Sequence, residues 1–356
     1  MDKGIKKIGK YTVLDVLGEG GMSRVYKAGT KGPGGFEKLF AIKVLTPSMA
    51  KNQEMITMFM DEARIGAQLV HPNIVPILDF GKEGAGYFIA MEYVAGMSLG
   101  KVMGRYFKRK AKFSKDEVLY VAQEVLKALD YTHNFRDSNR KKQVIIHRDI
   151  SPENVLIDNA GNIKLCDFGI AKGSFRSDKT KTGLVKGKIS YISPEILKGN
   201  RAIPCSDLYS LGVLMFEMLS GKRMGSQRLH NNAVEALECE DALKTLVLQA
   251  VEHNIDKRFN SAAVMLDQVN AMKFDPIVAA HNLAKGVIRR RHSPKKRRGT
   301  KVIMGKSKVD TGKDKKKNRN KHGYDNGFTI KLLILIIFLL FATSLLLAVF
   351  GVVLTK

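Results

Sequence analysis

The 356 residues carry a net charge of +26 and are 44% hydrophobic, which allows one two-lobed domain of about 250–280 residues plus appendages and excludes a wholly disordered chain. Three cysteines, Cys166, Cys205 and Cys239, have no metal-ligand spacing and exclude a disulfide framework. The charge is concentrated, because residues 285–321 hold 17 Lys and Arg against 2 Asp.

Met1–Lys10 is basic but leads into no continuous apolar run, so no N-terminal signal peptide is expected. Residues 11–45 alternate apolar and polar around a glycine-rich interruption and predict a β-meander. The interruption reads Gly18-Glu19-Gly20-Gly21-Met22-Ser23-Arg24-Val25, with Ser23 at the third glycine of G-x-G-x-x-G. Glycines there let backbone amides approach phosphate oxygens without side-chain clash. Met55, Phe59, Ala63, Ala67 and Val70 predict a helix over 51–70, ended by His71-Pro72-Asn73. Strands are expected over 74–80 and 87–93. Ser114-Lys115-Asp116-Glu117 forms a capping box before a helix over 118–133, and a polar, basic turn follows over 134–143. Helices are expected over 208–219, 233–251 and 260–272, the last closing the domain. A small β-rich lobe followed by a helical lobe gives an α+β fold class.

Between two short apolar runs, 144–146 and 155–157, both read as buried strands, lies His147-Arg148-Asp149-Ile150-Ser151-Pro152-Glu153-Asn154. Asp167-Phe168-Gly169 follows. An aspartate, an asparagine five residues on and a second aspartate thirteen beyond that make a base-and-metal set suited to phosphoryl transfer. Ala41-Ile42-Lys43-Val44 places a lysine on the third strand, and the next helix offers Asp61 and Glu62 to hold it. Met91-Glu92-Tyr93-Val94 ends the fifth strand.

With these motifs in this order, residues 11–273 resemble a protein kinase domain, most closely that of bacterial membrane-anchored, eukaryotic-like Ser/Thr protein kinases. Ser193-Pro194-Glu195 resembles the A-P-E motif, Asp207-Leu208-Tyr209-Ser210-Leu211-Gly212 the buried D-x-W-x-x-G helix, and Arg258 the arginine that pairs with the A-P-E glutamate, here Glu195. The resemblance implies transfer of the γ-phosphate of ATP to Ser/Thr hydroxyls of proteins with Mg²⁺, or alternatively Mn²⁺. It implies that Asp149 is the base, that Lys43 paired with Glu62 holds the phosphates, and that Asn154 and Asp167 bind metal. The implied ATP site is Leu17, Gly18, Gly20, Gly21, Ser23, Val25, Ala41, Lys43, the gatekeeper Met91, and the hinge backbone of Glu92 and Val94. Arg148 implies regulation by an anion in the activation segment, with Thr180 and Thr182 the leading phosphorylation candidates and Ser174 and Ser177 behind them.

Two positions depart from the family pattern. Ser151 replaces the catalytic-loop lysine that touches the γ-phosphate, and Lys188 in Gly187-Lys188-Ile189-Ser190-Tyr191 replaces a threonine that bonds that lysine and the catalytic aspartate. Lys188 is therefore expected to supply the missing charge. The alternative reading is a pseudokinase scaffold, which only Ser151 supports.

The lobes are expected at 11–94 and 95–273, and 274–328 is expected to be a largely disordered basic juxtamembrane linker. Residues 332–354 contain 23 consecutive uncharged residues, roughly 34 Å as a helix against a hydrocarbon core of about 30 Å. A transmembrane helix within 329–354 is expected, with the kinase domain on the cytoplasmic side of the cell membrane (the bacterial inner membrane) by the positive-inside rule. Only Thr355 and Lys356 follow, so no folded domain is expected beyond it. The basic linker is expected to meet anionic lipids. Homodimerisation is open, and no nucleic-acid partner is expected because no aromatic platform accompanies the basic runs.

Overall fold

The computed structural model describes residues 6–84, 86–168, 188–225 and 227–288. The predicted transmembrane span, Thr180 and Thr182 lie outside them. Among the described residues no helix is long and apolar enough to cross a membrane.

The first lobe is a six-stranded antiparallel sheet in the order β1-β2-β3-β4-β6-β5, formed by β1 (Lys7–Ile8), β2 (Tyr11–Glu19), β3 (Ser23–Lys31), β4 (Glu37–Leu45), β5 (Ile77–Glu83) and β6 (Gly86–Glu92). Side chains alternate across a strand, and β4 shows what that alternation does. Phe40 and Ile42 join Tyr11, Tyr26, Phe88 and Ala90 in the core on one face. Leu45 joins Ile89 on the other face, packed on Phe59 and Ala63 of α1 (Gln53–Gly66). Lys43 shares the Leu45 face and so points at α1.

Asn52 caps α1 by accepting from the Glu54 and Met55 amides. The helix stops at Gly66, earlier than its hydrophobic pattern predicts, and Val70 is 81% exposed beyond it. Gly66 packs closely on β5: a Cβ there would lie 2.4 Å from Ile77 Cδ1, so the Ile77 side chain would have to shift.

The second lobe begins with β7 (Gly96–Ser98), which pairs with β8 (Val155–Asp158) and β9 (Ile163–Leu165). Around it lie α2 (Leu99–Lys108), α3 (Lys115–His133), α4 (Pro194–Leu197), α5 (Pro204–Ser220), α6 (Asn231–Glu235), α7 (Asp241–Ala250) and α8 (Ala262–Ala271). The Ser114–Glu117 capping box is formed in full. Helix α5 is buried from Cys205 to Leu219, the mark of a helix apolar on all sides.

Three further expectations change. Residues 144–146 form no strand: Val144 is 51% exposed and only Ile145 is buried, its amide bonded to Thr132 O. The helix expected over 233–251 is two helices, α6 and α7. Helical packing also runs beyond 273 into the expected linker, as α9 (Pro276–Ile288). Ala279, Leu283, Ala284 and Val287 of α9 are buried, and Arg105 donates to the carbonyls of Gly286 and Val287. In the β8–β9 turn, Gly161 has φ +94° and would, with a Cβ, lie 2.1 Å from Ala280 O. This apolar stripe was hidden in the sequence by the basic run that follows it. A chain ended at Lys273 should be less stable than one ended at Ile288 by about 3–6 kcal/mol, the burial of two large apolar side chains. Denaturant unfolding of the two checks this, and equal midpoints would contradict it.

Candidate active site

The site is built where β4, α1, the loop 147–154 and the segment after β9 converge. Strand register sets the first part: Gly18 faces Val25, Val25 faces Lys43, and Ala41 faces Met91. Leu17 precedes Gly18 on β2, and Gly20 and Gly21 lie in the turn to β3, closed by a hydrogen bond from Gly20 N–H to Ser23 O of 2.9 Å. Strand β6 ends at Glu92, whose N–H donates to Pro76 O, and two residues later Val94 O accepts from Gly96 N–H. Behind Met91 a small cavity is walled by Glu62, Ile74, Ile89, Cys166 and Phe168.

Lys43 is the electrostatic centre of this part. Its Nζ lies 2.6 Å from Glu62 Oε1 and 2.8 Å from Asp167 Oδ1. Burial disfavours its charge, but the Asp167 and Glu62 carboxylates outweigh burial and hold its pKa well above the ordinary value. Asp167 is held below the usual carboxylate range: burial opposes this, and attraction to Lys43 prevails. Glu62 is pushed up by burial, partly offset by Lys43. Asp61, the other carboxylate the sequence offered, pairs instead with Arg64 on the helix surface.

The second part is the loop. Arg148 and Asp167 both have positive φ, 63° and 57°, a conformation that costs energy in non-glycine residues. For Arg148 the compensation is visible. Asp207 on α5, 1% exposed, accepts from the amides of His147 and Arg148, both at 2.8 Å, and from His133 Nε2 at 2.9 Å. His147 packs on the Phe168 ring with centroids 4.5 Å apart, and burial lowers its pKa.

Asn154 Nδ2 donates to Asp149 O at 2.8 Å and to Asp149 Oδ2 at 2.9 Å, fixing the carboxylate. Lys188 Nζ reaches the same Oδ2 at 3.0 Å. Ser151 is fully buried, and among the described residues its Oγ has no hydrogen-bond partner. Buried Arg148 Nε likewise has none among them. The structure thus brings Lys43, Glu62 and Asp167 together, and separately Asp149, Asn154 and Lys188.

The chemistry available is narrow. Asp167 and Asn154 offer hard oxygen donors, and no cluster of three or more His, Cys, Asp or Glu among the described residues could enclose a metal. Two oxygen donors suit a Mg²⁺-like ion that keeps phosphate and water ligands. Contacts that sequence reasoning missed include His133 with Asp207, Glu92 with Lys164, and Tyr191 with Glu217 and Arg223. None has a spacing that marks it in the sequence.

A family model described as a protein kinase domain matches residues 11–301. The chain is 30% identical over 301 residues to the tyrosine-protein kinase MasK of Myxococcus xanthus, covering 81% of this chain and 47% of that protein. It is 32% identical over 273 residues to the probable serine/threonine-protein kinase PknB of Lactococcus lactis, covering 73% and 41%. The chain thus spans less than half the length of these relatives. Among solved structures, the kinase domain of Mycobacterium tuberculosis PknI has a TM-score of 0.58 and 29% identity, covering 76% of this chain and 98% of that one.

One buried ion pair braces the loop after the site. Glu195 lies 3.0 Å from Arg258 and accepts from Ser206 Oγ at 2.7 Å. Burial raises its pKa, but the Arg258 and Ser206 hydrogen bonds prevail and hold it at about 2 against an ordinary 4.5. Its stabilising contribution is full above pH 4.5 and lost as pH falls towards 2. Arg258→Met should cost about 3–5 kcal/mol at neutral pH by stranding Glu195, and should flatten the stability loss between pH 4.5 and 2. Denaturant unfolding across that range checks both.

Proposed function

This chain belongs to the protein kinase domain family, and on that premise we propose that it is an ATP-dependent protein kinase acting on Ser and Thr hydroxyls. One observation carries the reading: Lys43, Glu62, Asp149, Asn154 and Asp167 are all present, with Lys43 bound to Glu62 and Asp167, and Asn154 bound to Asp149. A pseudokinase scaffold gains nothing from an intact set. The serine/threonine acceptor rests on relatives such as PknB, against the tyrosine named for MasK.

Bound ATP and a divalent ion supply the transferable phosphoryl group and neutralise its charge. The chain's own residues do the rest by positioning and electrostatics. Lys43, kept charged by its two carboxylates, holds the phosphates. The hinge backbone of Glu92 and Val94 would hold the adenine, with Leu17, Val25, Ala41 and Met91 lining that site. Asn154 and Asp167 offer oxygens to Mg²⁺, with Mn²⁺ acceptable to the same donors. Asp149 orients the acceptor hydroxyl and takes its proton. Lys188 stands in for the lysine absent at Ser151: it already contacts the Asp149 carboxylate, while Ser151 is turned into the core. Arg148 is suited to pair a phosphate on Thr180 or Thr182, added by autophosphorylation.

The remaining readings rest on sequence. The 23 uncharged residues 332–354 support a membrane anchor, with the kinase domain cytoplasmic and the basic residues of 285–321 meeting anionic lipid headgroups. Substrates are proteins, self-association in the membrane plane is compatible with a homodimer, and no nucleic acid is required.

Asp149→Asn should abolish Mg-ATP-dependent phosphorylation of the chain and of an added protein, with phosphoserine or phosphothreonine as the wild-type product. Phosphotyrosine alone would overturn the acceptor class. Lys188→Met should lower kcat by about 10²–10³-fold, the scale of losing one charge-stabilising donor, and Ser151→Lys with Lys188→Thr should restore it in part. Near-wild-type turnover by Lys188→Met would remove Lys188 from the mechanism.

A further inference from the structure

We propose that Arg223 sets acceptor-sequence specificity by filling, from within the chain, an acidic pocket beside the catalytic loop that would otherwise select a basic residue in the acceptor peptide. The proposal rests on the kinase reading above and goes beyond it.

The pocket has two carboxylates. Glu217 on α5 is 1% exposed, while Glu153, which directly precedes Asn154 and stands four residues after Asp149, is half exposed. Between them lies one guanidinium. Arg223 Nη1 lies 3.3 Å from Glu217 Oε2 and donates to Tyr191 Oη at 3.2 Å; Nη2 donates to Gly100 O at 3.2 Å and lies 3.6 Å from Glu153 Oε1. Tyr191 Oη in turn donates to Glu217 Oε2 at 2.5 Å, and the Met224 amide donates to Glu217 Oε1 at 2.6 Å. Burial and the Glu217 carboxylate push the Tyr191 hydroxyl up, so it remains a donor. Gly100 leaves room for these side chains where they stand. A Cβ on Gly100 would lie 2.7 Å from Glu153 Oε1 and 3.2 Å from Arg223 Nη2.

Position makes the pocket relevant to substrate. Glu153 belongs to the catalytic loop, and Tyr191 follows by three residues Lys188, which touches Asp149. An extended peptide that brings a hydroxyl to Asp149 advances about 3.3 Å per residue, so side chains flanking the acceptor would pass the loop that carries Glu153. A planar fork between carboxylates is the geometry that arginine satisfies and lysine only partly does. Arg223 is one-third exposed, so the cation sits at the mouth of the pocket rather than deep inside the lobe. While it is there, an incoming arginine finds the carboxylate oxygens already occupied and their charge partly offset, and the kinase accepts peptides without one. Selectivity is set here by what excludes a residue as much as by what attracts one.

The test is a positional-scanning peptide library phosphorylated by wild type, Arg223→Ala and Arg223→Ala/Glu153→Gln. Arg223→Ala should gain a preference of about tenfold or more for arginine at one position near the acceptor, the scale of a charge-assisted hydrogen bond. The double variant should lose most of that gain. An unchanged residue preference in Arg223→Ala, or a gain that survives Glu153→Gln undiminished, would overturn the proposal. Should Arg223→Ala fail to fold, Arg223→Gln, which removes the charge but keeps hydrogen-bonding groups, is scanned in its place. A second readout does not depend on turnover: ethylguanidinium should raise the melting temperature of the Arg223 variant and leave wild type unmoved. Equal responses would overturn the pocket. If wild type phosphorylates no peptide or protein, the kinase reading fails, and the melting experiment still decides the pocket.

Discussion

A single buried carboxylate underlies the active site. Asp207 sits on α5, the helix at the centre of the second lobe, and spends its oxygens on the amides of His147 and Arg148 and on the His133 ring. Arg148 is thereby held at φ 63°, a conformation the chain would not keep unaided. Past that turn Asp149 meets Asn154 and Lys188, and Ser151 lies in the core. It also leaves His147 against Phe168, so the segment carrying Asp167 is placed by the same contact. A carboxylate so deep is costly unless it is hydrogen-bonded, and here three donors meet it.

The electrostatics above that turn follow from burial. Lys43, Glu62 and Asp167 come from β4, α1 and the segment after β9, and each alone would resist losing its hydration. Together the lysine offsets two carboxylates, so disturbing any one member alters the charge of the others. Lys188 plays a comparable part for Asp149, but from a different carrier: it stands five residues before Ser193-Pro194-Glu195, whereas the lysine it replaces would sit on the braced loop itself. The cation beside Asp149 is therefore delivered by a part of the chain separate from the braced loop.

Much of this was legible in the residues. The alternation in 11–45 gave the sheet, and the same period of two put Lys43 opposite Ile42. Ser114 and Glu117 are three apart and form the cap they predict. The Asp149–Asn154–Asp167 spacing pointed to phosphoryl transfer before any contact was known. What failed did so for physical reasons. Val70 continued a helical pattern, but the helix stops where Gly66 meets Ile77. Val144, Ile145 and Ile146 looked like a strand, yet that backbone bonds to α3 instead of a sheet. Helix α9 was masked by the charge of the run after it, since composition averages over a boundary that packing does not.

The sequence alone determined the fold class, the order of the motifs and the family, because these depend on residue type and on spacing along the chain. It could not select between contacts made across large separations. The Tyr191–Glu217–Arg223 cluster joins residues that nothing in the linear pattern relates. The partner of Lys188 and the inward turn of Ser151 were also decided by tertiary structure, because each depends on where a distant element delivers a charge or withholds one.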